Sequence, residues 1–253
     1  MKESLSVIIP AYNEESRIGP TLKWMSGFLK DKFRDIEIVV VDDGSSDNTK
    51  SVVEGMAAEL GDIRLISYPV NHGKGYAVRR GMLECRGELV LFSDADMSTP
   101  VEELEKLLPP LREGFDIAIG SRGLRDSDVR LRQPWYRQSM GKTFNLMVRL
   151  LTVGGIRDTQ CGFKLFKGEV ARNLFRKAFV DGFAFDVEVL FLAVKTGYTI
   201  KEVPVRWFNS PGSKVRLFRD SFRMFAELLR IRAYHSFGGH VRGEIDKDRL
   251  PEP

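Results

Sequence analysis

The chain has 253 residues, 43% of them hydrophobic and 29% charged, with a formal net charge of +4. These values fit a globular protein of one large domain, or one domain and an appendage, with a sizeable core. Two cysteines, Cys85 and Cys161, exclude a disulfide framework, and three scattered histidines, His72, His235 and His240, exclude a zinc site. No apolar run approaches the roughly 18 residues of a membrane span, and the N-terminus leads into a strand-like segment rather than a signal peptide. The expected setting is a reducing, cytoplasmic one.

In chain order, Leu5 to Ile9 reads as a strand and Glu15 to Leu29 as a helix. Ile36 to Val41 is a strand, followed by a helix that Asp47 caps and that runs to about Leu60. Ile63 to Ser67 is a short strand, Gly75 to Cys85 a helix, Glu88 to Ser93 a strand, Val101 to Leu111 a helix and Asp116 to Gly120 a strand. Near-continuous Val/Ile/Leu strands are covered on both faces, and their alternation with helices means βαβ units. The fold class is therefore α/β, with a mainly parallel central sheet flanked by helices.

In such sheets ligands bind beyond the carboxyl ends of the strands. Those ends carry Pro10-Ala11-Tyr12-Asn13-Glu14, Asp42-Asp43-Gly44-Ser45, Asn71-His72-Gly73-Lys74-Gly75 and Asp94-Ala95-Asp96, so four polar clusters converge on one sheet edge. Asp94 and Asp96 end the apolar run Leu89-Val90-Leu91-Phe92 and offer carboxylate oxygens at a spacing that suits Mg2+ or Mn2+ shared with substrate phosphates. Two solvated turn-forming aspartates are the alternative. No G-x-G-x-x-G follows the first strand, and Gly73-Lys74-Gly75 lacks a Gly-Lys-Ser/Thr ending, which argues against the usual dinucleotide fold and a P-loop NTPase. Glycines flanking Lys74 at a helix start can still approach a phosphate; the other reading of Lys74 is a solvated turn lysine.

Val7 to Glu15, Val39 to Asp47, Asn71 to Gly75 and Asp94-Ala95-Asp96 together resemble the family 2 glycosyltransferases of the nucleotide-sugar-binding GT-A fold. Further on, Gly120-Ser121-Arg122, Arg157 to Phe166, Phe185-Asp186-Val187-Glu188, Glu202 to Trp207 and Gly212-Ser213-Lys214 resemble the dolichyl-phosphate glucosyltransferases, with the dolichyl-phosphate mannose synthases and bacterial polyprenyl-phosphate glycosyltransferases as relatives. The resemblance implies that Pro10, Tyr12 and Glu14 line the nucleotide pocket and that Asp42 reads the base edge. It places Lys74 near the nucleotide or sugar, Asp94 and Ala95 against the donor, and Asp96, with Asp94, at the metal. Many relatives carry Gln or His where this chain has Ser98, so water or diphosphate oxygen would complete the coordination.

The reaction so implied displaces a nucleoside diphosphate (UDP or GDP) from an activated hexose by in-line attack, with inversion. A divalent cation and nearby Lys or Arg stabilise the leaving group's charge. A lipid phosphate, with a second pKa near 6, is already ionised and needs a cationic seat rather than a strong base. Arg122, Arg137 and Arg206, with Ser213 and Lys214, are the candidates for that seat, because guanidinium binds phosphate in a two-pronged geometry; solvated surface arginines are the alternative. Asp158 orients the acceptor, acts as a base, or caps the turn before Gly162.

Seven basic residues from Arg122 to Arg149 interleave with Leu131, Trp135, Tyr136 and Phe144, and seven more lie between Arg206 and Arg232. Phe218, Phe222, Phe225 and Leu229 recur there at helical spacing beside a basic face, the pattern of a helix in the lipid interface or of one packed on the core. A nucleic-acid surface fits poorly with a carboxylate-lined edge. The expected organisation is a catalytic domain over 1–212 and C-terminal amphipathic interfacial helix plus polar tail over 213–253. The expected activity is transfer of a hexose, glucose from UDP-glucose, onto polyprenyl or dolichyl phosphate at the cytoplasmic face of a membrane, with peripheral attachment. A soluble saccharide or protein hydroxyl as acceptor is the second reading, and would require Asp158 as base. A non-catalytic nucleotide-sugar sensor is the third. A processive polysaccharide synthase is disfavoured, because Val203 stands where its Gln-x-x-Arg-Trp signature needs Gln.

Overall fold

The computed structural model describes residues 3–130, 148, 154–209 and 217–236, with the side chains of the last helix from 224 to 235. Arg137, Ser213, Lys214, the Trp135 and Phe144 segment, the side chains of Phe218 and Phe222, and the tail expected from Gly238 lie outside the described residues.

Strands β1 (Leu5–Ala11), β2 (Ile36–Asp43), β3 (Ile63–Tyr68), β4 (Leu89–Ser93), β5 (Ile117–Ser121), β7 (Phe163–Lys167) and β8 (Ile200–Pro204) form one sheet in the order β3-β2-β1-β4-β7-β5-β8. All pairings are parallel except those of β7, which runs antiparallel to both β4 and β5. The sheet is thus mainly parallel, as its sequence predicts, with one reversed strand in the middle. A two-stranded parallel ribbon joins β6 (Asp128–Arg130) to β9 (Arg206–Phe208).

Alternation along each strand sends successive side chains to opposite faces, and both faces are covered. Val7, Ile9, Ile38, Val40 and Leu91 pack under α1 (Ile18–Leu29), α2 (Thr49–Leu60) and α4 (Leu104–Arg112). Ile8, Val39, Val41, Val90 and Phe92 pack under α3 (Lys74–Glu84), α5 (Gly168–Lys177) and α6 (Phe185–Lys195). In α1, Ile18, Leu22, Met25 and Leu29 recur on one face and all are fully buried. Leu22→Ala there would cost about 2–5 kcal/mol. The first turn of the helix expected from Val101 is a 3-10 turn, Val101–Glu103, that leads into α4.

Helix α7 (Leu217–Ser236) docks by Met224 and Leu228 against Val148 and Val187 and by Ile231 in the α6-side core. Its His235 Nε2 lies 2.9 Å from a carboxylate oxygen of fully buried Glu188. Phe225 and Leu229, the described members of the stripe picked from the sequence, fall beside this packed face: Phe225 is half-buried and Leu229 is 47% exposed.

Candidate active site

The loop after β1 is stitched to the loop after β2. Asn13 N–H donates to Ser45 Oγ at 2.8 Å, Ser46 N–H to Asn13 Oδ1 at 2.7 Å and Glu14 N–H to Thr49 Oγ1 at 2.7 Å. Glu15 accepts from Asn48 N–H and donates its own amide to Asp47, so residues 14–17 form a turn and α1 begins at Ile18 rather than Glu15. Asp47 also accepts from Thr49 N–H at 3.0 Å, serving the first turn of α2 as its sequence predicts. Pro10 lies beside Val41 and Ala11 beside Asp42 in the β1–β2 register. Asp42 is buried, its oxygens accepting from Ser45 N–H at 3.1 Å and Ser67 Oγ at 3.0 Å, while Tyr12 stands 38% exposed at the same edge.

Asp43 ties the second cluster to the third. Its carboxylate accepts from His72 N–H at 2.8 Å and Gly73 N–H at 2.9 Å. Burial pushes the Asp43 carboxyl above its ordinary range, although both amides pull the other way. The start of α3 is closed. Gly75 and Tyr76 donate their amides to Asp181 O, and a Cβ at Gly75 would fall on Val180 O. The glycines around Lys74 serve close packing on the 180–182 loop, and the amides of Gly73, Gly75 and Tyr76 already have protein partners.

The Asp94–Asp96 turn is held at each residue. Asp94 N–H donates to Gly162 O at 3.1 Å, Thr21 Oγ1 donates to Ala95 O at 2.9 Å, and Ser98 N–H donates to Asp96 Oδ1 at 2.9 Å. Ser98 in turn accepts from Phe208 N–H, which joins the turn to β9. Gly162 is pressed so closely under Asp94 that a Cβ there would overlap the carboxylate. Lys74 Nζ lies 2.7 Å from Asp94 Oδ1, with the two side chains 27% and 32% exposed. Burial acts to lower the Lys74 pKa, but Asp94, Asp186 and Asp96 outweigh it and hold the ammonium above its ordinary range. Among the described residues no group of three His, Cys, Asp or Glu could hold a metal ion. The donor set of Asp94 and Asp96, two partly exposed carboxylates with one oriented by a backbone amide, fits a hard divalent cation that takes its other ligands from diphosphate and water.

Beyond β5 the expected acceptor residues are already engaged. Arg122 reaches Asp158 by Nε at 2.7 Å, by Nη2 at 2.8 Å and by its backbone N–H at 2.9 Å, and its guanidinium lies 5.4 Å from the Trp207 ring centroid. Burial alone would raise the Asp158 carboxyl, yet Arg122 holds it below its ordinary range. Glu202 fixes the loop from behind by accepting from Arg157 and Asp158 amides. Arg206 pairs with buried Glu103, which Lys106 also contacts at 2.6 Å. Burial pushes the Cys161 thiol up to about 11, so it is a protonated neighbour and not a nucleophile.

Sequence reasoning assigned no role to Lys164 and Asp186. They form a buried ion pair directly behind the Asp94–Lys74 pair, and Lys164 Nζ also donates to Cys161 O at 2.7 Å. The available signal was a lysine inside the apolar strand Phe163-Lys164-Leu165-Phe166.

A doubly covered, mainly parallel sheet with a carboxylate pair, a lysine and an aromatic at the carboxyl edge is the architecture of a nucleotide-sugar glycosyltransferase. Residues 6–175 match the family model described as Glycosyl transferase family 2, and the chain belongs to that family. It is 40% identical over 256 residues to a dolichyl-phosphate beta-glucosyltransferase of Drosophila melanogaster, covering 96% of this chain and 78% of that one. The human dolichyl-phosphate beta-glucosyltransferase is 37% identical over 249 residues, covering 93% and 77%. Among solved structures, glucosyl-3-phosphoglycerate synthase from Mycobacterium tuberculosis, in complex with Mn2+, UDP-glucose and phosphoglyceric acid, shares the fold with a TM-score of 0.69 at 23% identity, covering 91% of this chain and 80% of that one.

Proposed function

We propose that this glycosyltransferase moves glucose from UDP-glucose onto a dolichyl or polyprenyl phosphate, with inversion and with Mg2+ or Mn2+, as a peripheral protein on the cytoplasmic face of a membrane. The carrying observation is the strand edge at which Asp43 accepts from the His72 and Gly73 amides beside Lys74, and Lys74 pairs with Asp94, in a chain whose relatives bear the dolichyl-phosphate beta-glucosyltransferase name. Among the described residues no helix is long and apolar enough to cross a membrane; on this reading the exposed side of α7, with Leu229 and Tyr234, meets lipid.

On this reading Tyr12 and Asp42 receive the base, and Asp94 and Lys74 receive the sugar and diphosphate. Asp96 and Asp94 would hold the cation, which would supply charge stabilisation to a departing diphosphate. Lys74 exchanges its bond to Asp94 for the donor and adds a second positive charge where negative charge develops. The acceptor phosphate needs no base. That agrees with an Asp158 whose oxygens are both committed to Arg122. Arg122 and Arg206, held by Asp158 and Glu103 but still 30% and 43% exposed, offer the remaining face of each guanidinium as the described part of the cationic seat, and Arg137, Ser213 and Lys214 are its expected remainder.

The test is transfer of radiolabelled glucose from UDP-glucose, with Mn2+, into an organic-extractable product using a short polyprenyl phosphate. Label in the lipid phase that is lost with Asp96→Ala is the expected result. Release of UDP with label left in water would move the acceptor to a soluble hydroxyl.

A further inference from the structure

Four charges alternate in sign from the open edge inward: Asp94, Lys74, Asp186, Lys164. The outer two are 27% to 32% exposed, while the inner two retain only 2% and 7% exposure. Lys74 and Lys164 each place Nζ 5.5 Å from the centroid of the Phe92 ring, so one buried ring floors both ammonium groups. Phe92 is itself fixed edge-on by Phe185, which opens the helix carrying Asp186. After Asp94, Asp186 is the strongest carboxylate influence on Lys74, and after Lys164, Lys74 is the strongest cationic influence on Asp186. A buried ion pair of this kind is a poor source of stability, since an apolar pair of similar volume is often as good or better. Its place behind Lys74 gives it another use.

We propose that Lys164 and Asp186 are positioning residues for donor binding: Asp186 keeps Lys74 directed into the site when Asp94 turns to the donor, and Lys164 stops Asp186 from drawing Lys74 inward. Without Asp186, Lys74 has only Asp94 to hold it, and it loses its anchor when a ligand competes for that carboxylate. Without Lys164, Asp186 has Lys74 as its nearest cation and pulls it off the donor. This inference rests on the donor reading above and is independent of the acceptor.

The experiment is a double-mutant cycle on UDP-glucose affinity, measured by calorimetry with Mn2+ on the full chain, with thermal melting recorded for each variant. Asp186→Asn should weaken binding about tenfold in the wild-type background and less than about twofold in a Lys74→Met background, because residues acting through one another are not additive. Equal losses in both backgrounds, or no loss in the first, would overturn the proposal, since a purely structural residue weakens both alike. If Asp186→Asn does not fold, the apolar pair Lys164→Met with Asp186→Leu replaces it. That variant should melt near the wild type and lose affinity about tenfold, whereas wild-type affinity would refute the role. A wild-type protein that binds UDP-glucose but leaves lipid phosphate unmodified would defeat the acceptor assignment while the cycle still decides this one.

Discussion

At the strand edge, Lys74 and Asp94 meet through one ion pair whose side chains stay about a third exposed; beyond β5, Arg122 and Asp158 are joined by three hydrogen bonds with Asp158 only 2% exposed. Both are lysine- or arginine-to-aspartate pairs, and Arg122 also senses the charge of Asp94. Their surroundings set them apart. The first pair is partly hydrated, so a ligand can replace either partner at modest cost. The second is closed on its carboxylate side, where the Asp158 side chain is 3% exposed against 30% for that of Arg122, so separating it would leave a buried carboxylate without a partner. One pair is arranged to exchange and the other to hold shape.

The largest effect should come from the exchanging side. Asp96→Ala removes a carboxylate that the Ser98 amide already aims, and transfer should fall by about 10²–10³-fold, on the scale of losing one transition-state stabiliser. Melting should hardly change, because Asp96 is half-exposed. A turnover within about threefold of wild type would remove Asp96 from the site.

Asp158→Asn probes the second pair and should cost about 1–3 kcal/mol of stability, read from denaturant unfolding, by removing the carboxylate that takes three hydrogen bonds from the partly exposed Arg122. The pH dependence follows in sign. Folding depresses the Asp158 pKa from an unfolded value of about 3.9, so its contribution is complete above that value and lost as pH falls through the folded one. The difference in stability between wild type and Asp158→Asn should therefore be flat from neutral pH to about pH 5 and shrink below it. If instead Asp158→Asn is fully stable and loses only turnover, with the loss growing as pH falls through a kinetic pKa, Asp158 is a base and the acceptor is a hydroxyl.

Gly162→Ala sits between the two regions, since Gly162 lies under Asp94 on the strand lead that also carries Lys164. The added methyl must displace the Asp94 carboxylate. A misplaced group of this kind costs about 10–10²-fold, and the loss should appear in UDP-glucose affinity as well as turnover. Unchanged affinity would mean that the donor does not use Asp94.

The strand edge was largely legible before any coordinates, and the region beyond β5 was not. Runs such as Ile38-Val39-Val40-Val41 can only be strands covered twice, and their carboxyl ends must share an edge, so Tyr12, Asp42, Lys74 and Asp96 could be grouped from spacing and pattern. The partners of Arg122 and Arg206 could not. Asp158 and Glu103 lie 36 and 103 residues away from them, and no local period links such positions. The same holds for Lys164 with Asp186 and for Glu188 with His235. Strand direction was hidden too: Phe163-Lys164-Leu165-Phe166 would read alike in either sense, and only its pairing to β4 and β5 sets it antiparallel. The packing role of Gly73-Lys74-Gly75 was hidden because glycine serves close packing and phosphate approach equally well, and its contact with Asp181 O comes only with the fold.

The smallest effect expected is that of Ser98→Ala. Ser98 occupies the position expected, two residues beyond Asp96, for a further side-chain ligand to a cation, yet its described work is done by the backbone: its amide orients Asp96 and its carbonyl accepts from Phe208. Alanine keeps both groups, and the residue is nearly buried, so a hydroxyl is removed without opening the turn. Transfer and Mn2+ dependence should stay within about twofold of wild type, the range of a substitution that breaks no named contact. A drop of tenfold or more, accompanied by weaker Mn2+ binding, would make the Ser98 hydroxyl a third protein ligand, and the donor edge would then be less open to exchange than Lys74 and Asp94 indicate.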